Sequence, residues 1–143
     1  MTFVLSASLT TMGGTNKAEA ASYHTKAIAV AKSNLGVRYL WGGTTRNGYD
    51  CSGLVYVSYK AAGKILPRTA GEMALKGTTV STTSLRAGDL LFYSTGATKG
   101  KVTHVAIYIG AGKMIHSSSS RGVSIISISN SYWKPKFIRA KRI

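Results

Sequence analysis

Three side chains in this sequence could supply a nucleophile and its base: Cys51, the single cysteine, with His104 and His116, two of the three histidines. The reactive form of a cysteine is the thiolate, so a lone thiol matters only where its surroundings help to remove the proton. In YDCSGLV, Asp50 is placed as an N-cap and Cys51 as the first helical residue. Unpaired backbone N–H groups and the helix dipole there favour a thiolate, although the position equally suits a small buried residue. The histidines flank HVAIYIGAGKMIH at an even separation of twelve. If Gly110–Gly112 forms a three-residue loop, Ile109 pairs with Lys113 and Ala106 with His116. Both imidazoles then share one sheet face, about 7–8 Å apart at the backbone. A two-residue loop would put them on opposite faces.

The roles that follow are Cys51 as nucleophile, His104 as general base and then acid, and His116 as the group that fixes the tautomer of His104. Two other readings use the same residues. The histidines could be ordinary hairpin positions, or Cys51, His104 and His116 could hold a metal together with Asp50 or Asp89. No His-x3-His or Cys-x2-Cys pair supports metal, and no cofactor is called for. Nearby, the Tyr39 hydroxyl could join the Cys51 backbone N–H at a developing oxyanion. Trp41 and Tyr49 could wall a groove, and Asp50 and Ser52 could hold a substrate amine. Taken singly, each is also explained as a core aromatic or a plain cap. His24 reads as surface or packing, and Tyr132 and Trp133 read as core.

The elements that must position these groups come in two blocks. Ala27, Ile28, Ala31 and Leu35 form a helical stripe between a cap at Ser22 and a stop at Gly36. The loop WGGTTRNG follows, then the cysteine helix with its stripe of Leu54, Val57 and Ala61 and Gly63 at C′. Thr69 and Glu72 have capping-box spacing, so TAGEMALK predicts a short helix stopped at Gly77. Beyond Gly77 the period becomes two, predicting strands at Asp89–Tyr93, His104–Ile109, Lys113–His116, Val123–Ile128 and Phe137–Arg142. Helices first and strands afterwards predict an α+β fold, with N-terminal helices packed on one antiparallel sheet.

The chain of 143 residues is of single-domain size, without an internal repeat or long linker. Nineteen Lys and Arg against four Asp and Glu give a net charge of +15. Such a surface points to an anionic partner: nucleic acid, an anionic membrane or the phosphate-rich polymers of a bacterial envelope. One cysteine excludes an internal disulfide framework, and no apolar run approaches the roughly 18 residues of a spanning helix. Residues 1–20 read as an export segment, with the apolar FVLSASL and a small-x-small AEA before Ala21 but no positive n-region. The other reading is a Ser/Thr-rich arm. Residues 21–143 are then one domain, expected as a monomer outside the cell.

Five motifs in register, YLWGG…DCSGLV, LPRTAGEM, AGDLLFY, HVAIYIGAGKMIH and YWKPKFIRAKRI, resemble the NlpC family of bacterial cell-wall cysteine peptidases. The likeness runs from about Ala27 to the C-terminus. It implies a papain-like fold and a catalytic domain with a Cys–His–His site at Cys51, His104 and His116, and Tyr39 near the oxyanion. Asp50 and Ser52 resemble residues that receive the free amino end of a stem peptide, and Arg68 a motif residue near the cleft. The implied reaction is hydrolysis of peptidoglycan stem peptides between γ-D-glutamate and the following diamino acid, diaminopimelate or lysine, through an acyl-enzyme. Met73 stands where Gln is expected, and Ala87, Ala106 and Ala111 where Pro, Gly and Asn are usual. The resemblance implies a secreted or wall-associated enzyme, and the +15 charge is expected to hold it on anionic wall polymers.

An acyltransferase or another amidase on the same scaffold is the alternative, because fold and triad do not fix the acceptor. A basic envelope-binding module with an inert cysteine is a second. A nucleic-acid partner is disfavoured, since the aromatics do not interleave with Lys and Arg along a strand face.

Overall fold

The computed structural model describes residues 23–143; the expected export segment and the Ser22 cap lie outside the described residues. Helix α1 occupies residues 23–33 and buries Ala27 and Ala31 completely. The stripe stops short of the predicted Leu35, which is 46% exposed, because the chain turns at residues 34–36 and Gly36 donates to the Val123 carbonyl. Within the Gly-rich loop a small ribbon forms from β1 (Thr44–Thr45) and β2 (Gly48–Tyr49), and Tyr39 bridges to Tyr49 beside it. Helix α2 (Cys51–Ala61) follows, capped by Asp50, with Gly63 at φ +93° just past its end. Thr69 caps α3 (Ala70–Met73), and its hydroxyl donates to the Glu72 carboxylate at 2.9 Å.

Strands β4 (Leu90–Tyr93), β5 (His104–Gly110), β6 (Lys113–Ser118), β7 (Gly122–Ser127) and β8 (Phe137–Arg142) occur where period two placed them. A short edge strand, β3 (Thr78–Val80), was not predicted; three residues without an apolar alternation carry no strand signal. The sheet has the order β3-β8-β4-β5-β6-β7, and every pairing is antiparallel. The last strand thus lies inside the sheet, between β3 and β4, and Arg142 at its end makes a bidentate pair with the buried Asp89, both contacts at 2.9 Å.

Alternation divides the core in two. Leu90, Phe92, Val105, Ile107 and Ile115 face α1 and α2, meeting Ala27, Ala31, Leu54, Val55 and Tyr59. Leu91, Tyr93, Ala106, Met114 and Ala140 form the opposite face, covered by Trp133 and Phe137. This is helices on one antiparallel sheet, the α+β class expected.

The first turn of α2 is seated against the loop before it. A Cβ on Gly53 would overlap the carbonyl oxygen of Gly43 and lie 2.8 Å from Asp50 Oδ1. Gly53→Ala is therefore expected to lower stability by about 1–3 kcal/mol through overpacking, read as a shifted urea midpoint. Unchanged stability would mean that the loop and the helix are not closely packed.

Candidate active site

The nucleophile helix starts on a carboxylate. Asp50 Oδ1 accepts from the Gly53 N–H at 2.6 Å and Oδ2 from the Gly42 N–H at 3.0 Å. Arg68 closes on the same group with contacts of 3.1 and 3.0 Å and donates to Ser52 Oγ at 2.8 Å. Cys51, half-buried, is the first residue of α2, and its thiol donates to the Thr103 carbonyl at 3.9 Å. Thr103 is the residue before His104, so the sulfur lies against the start of β5.

The histidines arrive by a route that the sequence did not specify. The turn between β5 and β6 has two residues, Ala111 and Gly112, both with positive φ (52° and 74°), and Gly110, not Ile109, pairs with Lys113. Between Tyr108 and Gly110 the register shifts, so Ile107 pairs with Ile115 and Tyr108 with Met114. The bulge takes up the extra residue, and the histidines fall on one face after all. His104 Nε2 and His116 Nδ1 are 2.9 Å apart. Their sheet face is the one carrying Ala106 and Met114, away from the body of α2. Cys51 meets them at the strand end, in a cleft of ≈ 520 Å³ also lined by Tyr39, Trp133 and residues 117–121 at the end of β6 and the turn after it.

Trp133 stacks on His104 with centroids 4.2 Å apart and planes at 27°, and meets His116 edge-on at 5.2 Å. Its reading as core holds in part, since it packs against the second core layer while lining the cleft; that of Tyr132 is corrected, for it is 55% exposed. No local periodicity marks Trp133. It reaches His104 because β8 pairs with β4 at Tyr93–Phe137 and β4 with β5 at Tyr93–His104, a sheet order that is not written in any one segment.

Burial governs the site's protonation. It lowers His104 to about 3, helped by the neighbouring His116, and His116 to about 4. Burial also pushes the Cys51 thiol up, as does the Asp50 charge, while the N–H groups of Val105, Ser52 and Cys51 itself pull it down. The expectation that the helix N-terminus favours a thiolate is opposed here by burial: desolvation, the largest influence, and the Asp50 charge raise the thiol, while the N–H donors lower it. A base at His104 Nδ1 requires its Nε2–H to donate to His116 Nδ1, which gives each histidine a distinct part.

Of the other candidates, Tyr39 lines the cleft beside Cys51, and burial raises its hydroxyl pKa. Trp41 is 86% exposed and outside the cleft lining, so it does not wall this groove. Tyr49 is buried in the core, bonded to Asn34. Asp50, Ser52 and Arg68 come together as a set, with Asp50 serving as both cap and ion-pair partner. His24 packs against Tyr59 with Nε2 3.2 Å from the Ile143 carbonyl. No group of three or more His, Cys, Asp and Glu among the described residues could hold a metal ion.

A family model described as the NlpC/P60 family matches residues 36–142. The chain is 38% identical over 109 residues to a gamma-D-glutamyl-L-lysine dipeptidyl-peptidase of Bacillus subtilis (strain 168), covering 76% of this chain and 37% of that protein. It is 43% identical over 109 residues to the murein DD-endopeptidase MepS/murein LD-carboxypeptidase of Escherichia coli (strain K12), covering 76% and 56%. It therefore spans well under two thirds of either relative. A solved NlpC/P60 family protein from Bacillus cereus ATCC 10987 superposes with a TM-score of 0.79 at 38% identity, covering 83% of this chain and 39% of that one.

Burial of the imidazoles sets a pH dependence. A base at His104 works only when unprotonated, so the acid limb of kcat/KM is expected near pH 3–4 rather than at the ordinary imidazole value of 6.5. Trp133→Ala uncovers His104, raises its pKa and should move that limb upward. Alkylation of Cys51 by iodoacetamide should keep rising through neutral pH. A plateau of thiol reactivity below neutrality would show a resting thiolate instead.

Proposed function

The chain belongs to the NlpC/P60 family, and from that premise we propose that it is a cysteine peptidase that hydrolyses peptidoglycan stem peptides at the bond between γ-D-glutamate and the diamino acid after it. The observation that carries the reading is the shared cleft: the Cys51 thiol on the helix N-terminus beside a His104–His116 pair at 2.9 Å. The names of the relatives support a wall peptide as substrate, although they specify different bonds.

In the proposed reaction Cys51 Sγ attacks the γ-carbonyl as His104 Nδ1 takes its proton, so charge separates only as the bond forms. His116 accepts from Nε2–H and stabilises the imidazolium. The oxyanion is received by the Cys51 backbone N–H and the Tyr39 hydroxyl. His104 returns the proton to the departing amine, leaving a thioester. Water, deprotonated by the same imidazole, then attacks the thioester and releases a free γ-carboxylate and the thiol. Asp50 seats the nucleophile, with Arg68 neutralising that carboxylate.

We assign the +15 surface to retention on anionic wall polymers, a reading that goes with an enzyme working outside the membrane, secreted or wall-bound. Attraction of this kind is screened over about 10 Å at 0.1 M salt, so bound enzyme should elute from purified walls as salt rises. Retention insensitive to salt would refute the electrostatic account.

Defined stem peptides digested and analysed by mass spectrometry test the reaction itself. Cys51→Ala should retain its circular dichroism and yield no product. His104→Ala should lose about 10²–10⁴-fold, and His116→Ala less, since it orients the base. Equal losses at both histidines would contradict the division of roles. Products capped by an added amine instead of a free carboxylate would identify an acyltransferase.

A further inference from the structure

We propose that Arg121, with the hydroxyls of Ser119 and Ser120 beside it, receives a free carboxylate of the substrate close to the scissile bond and so selects which stem peptides are cut. The inference rests on the stem-peptide reading above. Arg121 is the only Lys, Arg, Asp or Glu among the described residues lining the cleft that holds Cys51. Arg68 and Arg142 are bound to Asp50 and Asp89, whereas the Arg121 guanidinium has no hydrogen-bond or ion-pair partner among the described residues.

The backbone under Arg121 is fixed. It ends the β6–β7 turn, where Ser118 pairs with Gly122 and the Arg121 N–H donates to the Ser118 carbonyl at 3.3 Å. Gly122, at φ +69°, lies so close to the Val37 carbonyl that a Cβ would overlap it, and the Val123 N–H donates to that carbonyl at 2.9 Å. Strand β6 also carries His116, so the turn and the base-orienting imidazole share one rigid element. An uncommitted guanidinium next to hydroxyls, on a fixed turn, in a cleft without a carboxylate side chain, matches a carboxylate partner.

Two carboxylates of a stem peptide qualify. The γ-linkage leaves the α-carboxylate of D-glutamate free, and diaminopimelate carries a second carboxylate that lysine lacks. Four synthetic peptides separate them: α-carboxylate free or amidated, each with diaminopimelate or lysine in third place. Measuring kcat/KM on all four with the native enzyme, Arg121→Gln and Arg121→Lys is the test. The native enzyme should prefer peptides bearing one of the two carboxylates. Arg121→Gln should lower those by about 10–100-fold and the others far less, with Arg121→Lys in between. Whichever pair loses its preference identifies the group bound. A uniform loss across all four, or no loss, overturns the assignment. Native enzyme that cuts none of the four would instead refute the stem-peptide reading on which it rests.

Discussion

The site is built around one carboxylate. Asp50 is 9% exposed, yet both of its oxygens are satisfied, by the N–H of Gly53, the N–H of Gly42 and the fork of Arg68. Those contacts tie three separate segments, the Gly-rich loop, the start of α2 and the stretch before α3, to the residue that precedes the nucleophile. A largely buried charge of this kind is tolerable only while its partners stay, since losing one leaves the carboxylate desolvated without compensation. Arg68, first noticed through resemblance as a residue near the cleft, therefore has a structural part that is readable from geometry alone.

The same carboxylate works against ionisation of its neighbour. A negative charge at the helix N-cap offsets the positive end of the dipole, and the Asp50 charge and burial both push the Cys51 thiol up. The structure compensates on the other side. The N–H groups of Val105, Ser52 and Cys51 pull the thiol down, and burial beside Trp133 together with the neighbouring His116 keeps His104 unprotonated over a wide pH range. Burial thus disfavours the charged form of both the sulfur and the imidazole, which opposes holding two opposite charges in a desolvated cleft.

How much of this was legible follows from how local each signal is. The Asp50 cap, Gly63 at C′, the Thr69–Glu72 spacing and strand β8 were readable because each is a pattern within a few residues, and each is found in the structure. Cys51, His104 and His116 were singled out by residue type and an even spacing, and the structure brings all three to one cleft. Trp133, the exposure of Leu35 and the commitment of Asp50 to Arg68 were not readable from pattern, because each depends on which distant segments the sheet order brings together. The burial that raises the Cys51 thiol was not readable for a related reason: the helix terminus is a local feature, whereas burial is set by the whole fold.

The hairpin shows how narrow that margin is. Side chains alternate along a strand, so the faces of His104 and His116 depend on the parity of the residues between them. A three-residue loop and a two-residue turn with a one-residue bulge have the same parity, and the chain uses the second. It does so with Ala111 at φ 52° and Gly112 donating to the Tyr108 hydroxyl at 3.0 Å, features absent from the simpler drawing. Deleting the bulged residue would leave both strands and the turn but send one imidazole to the helix side. The pairing of the two imidazoles is thus a property of one irregularity in an otherwise regular sheet.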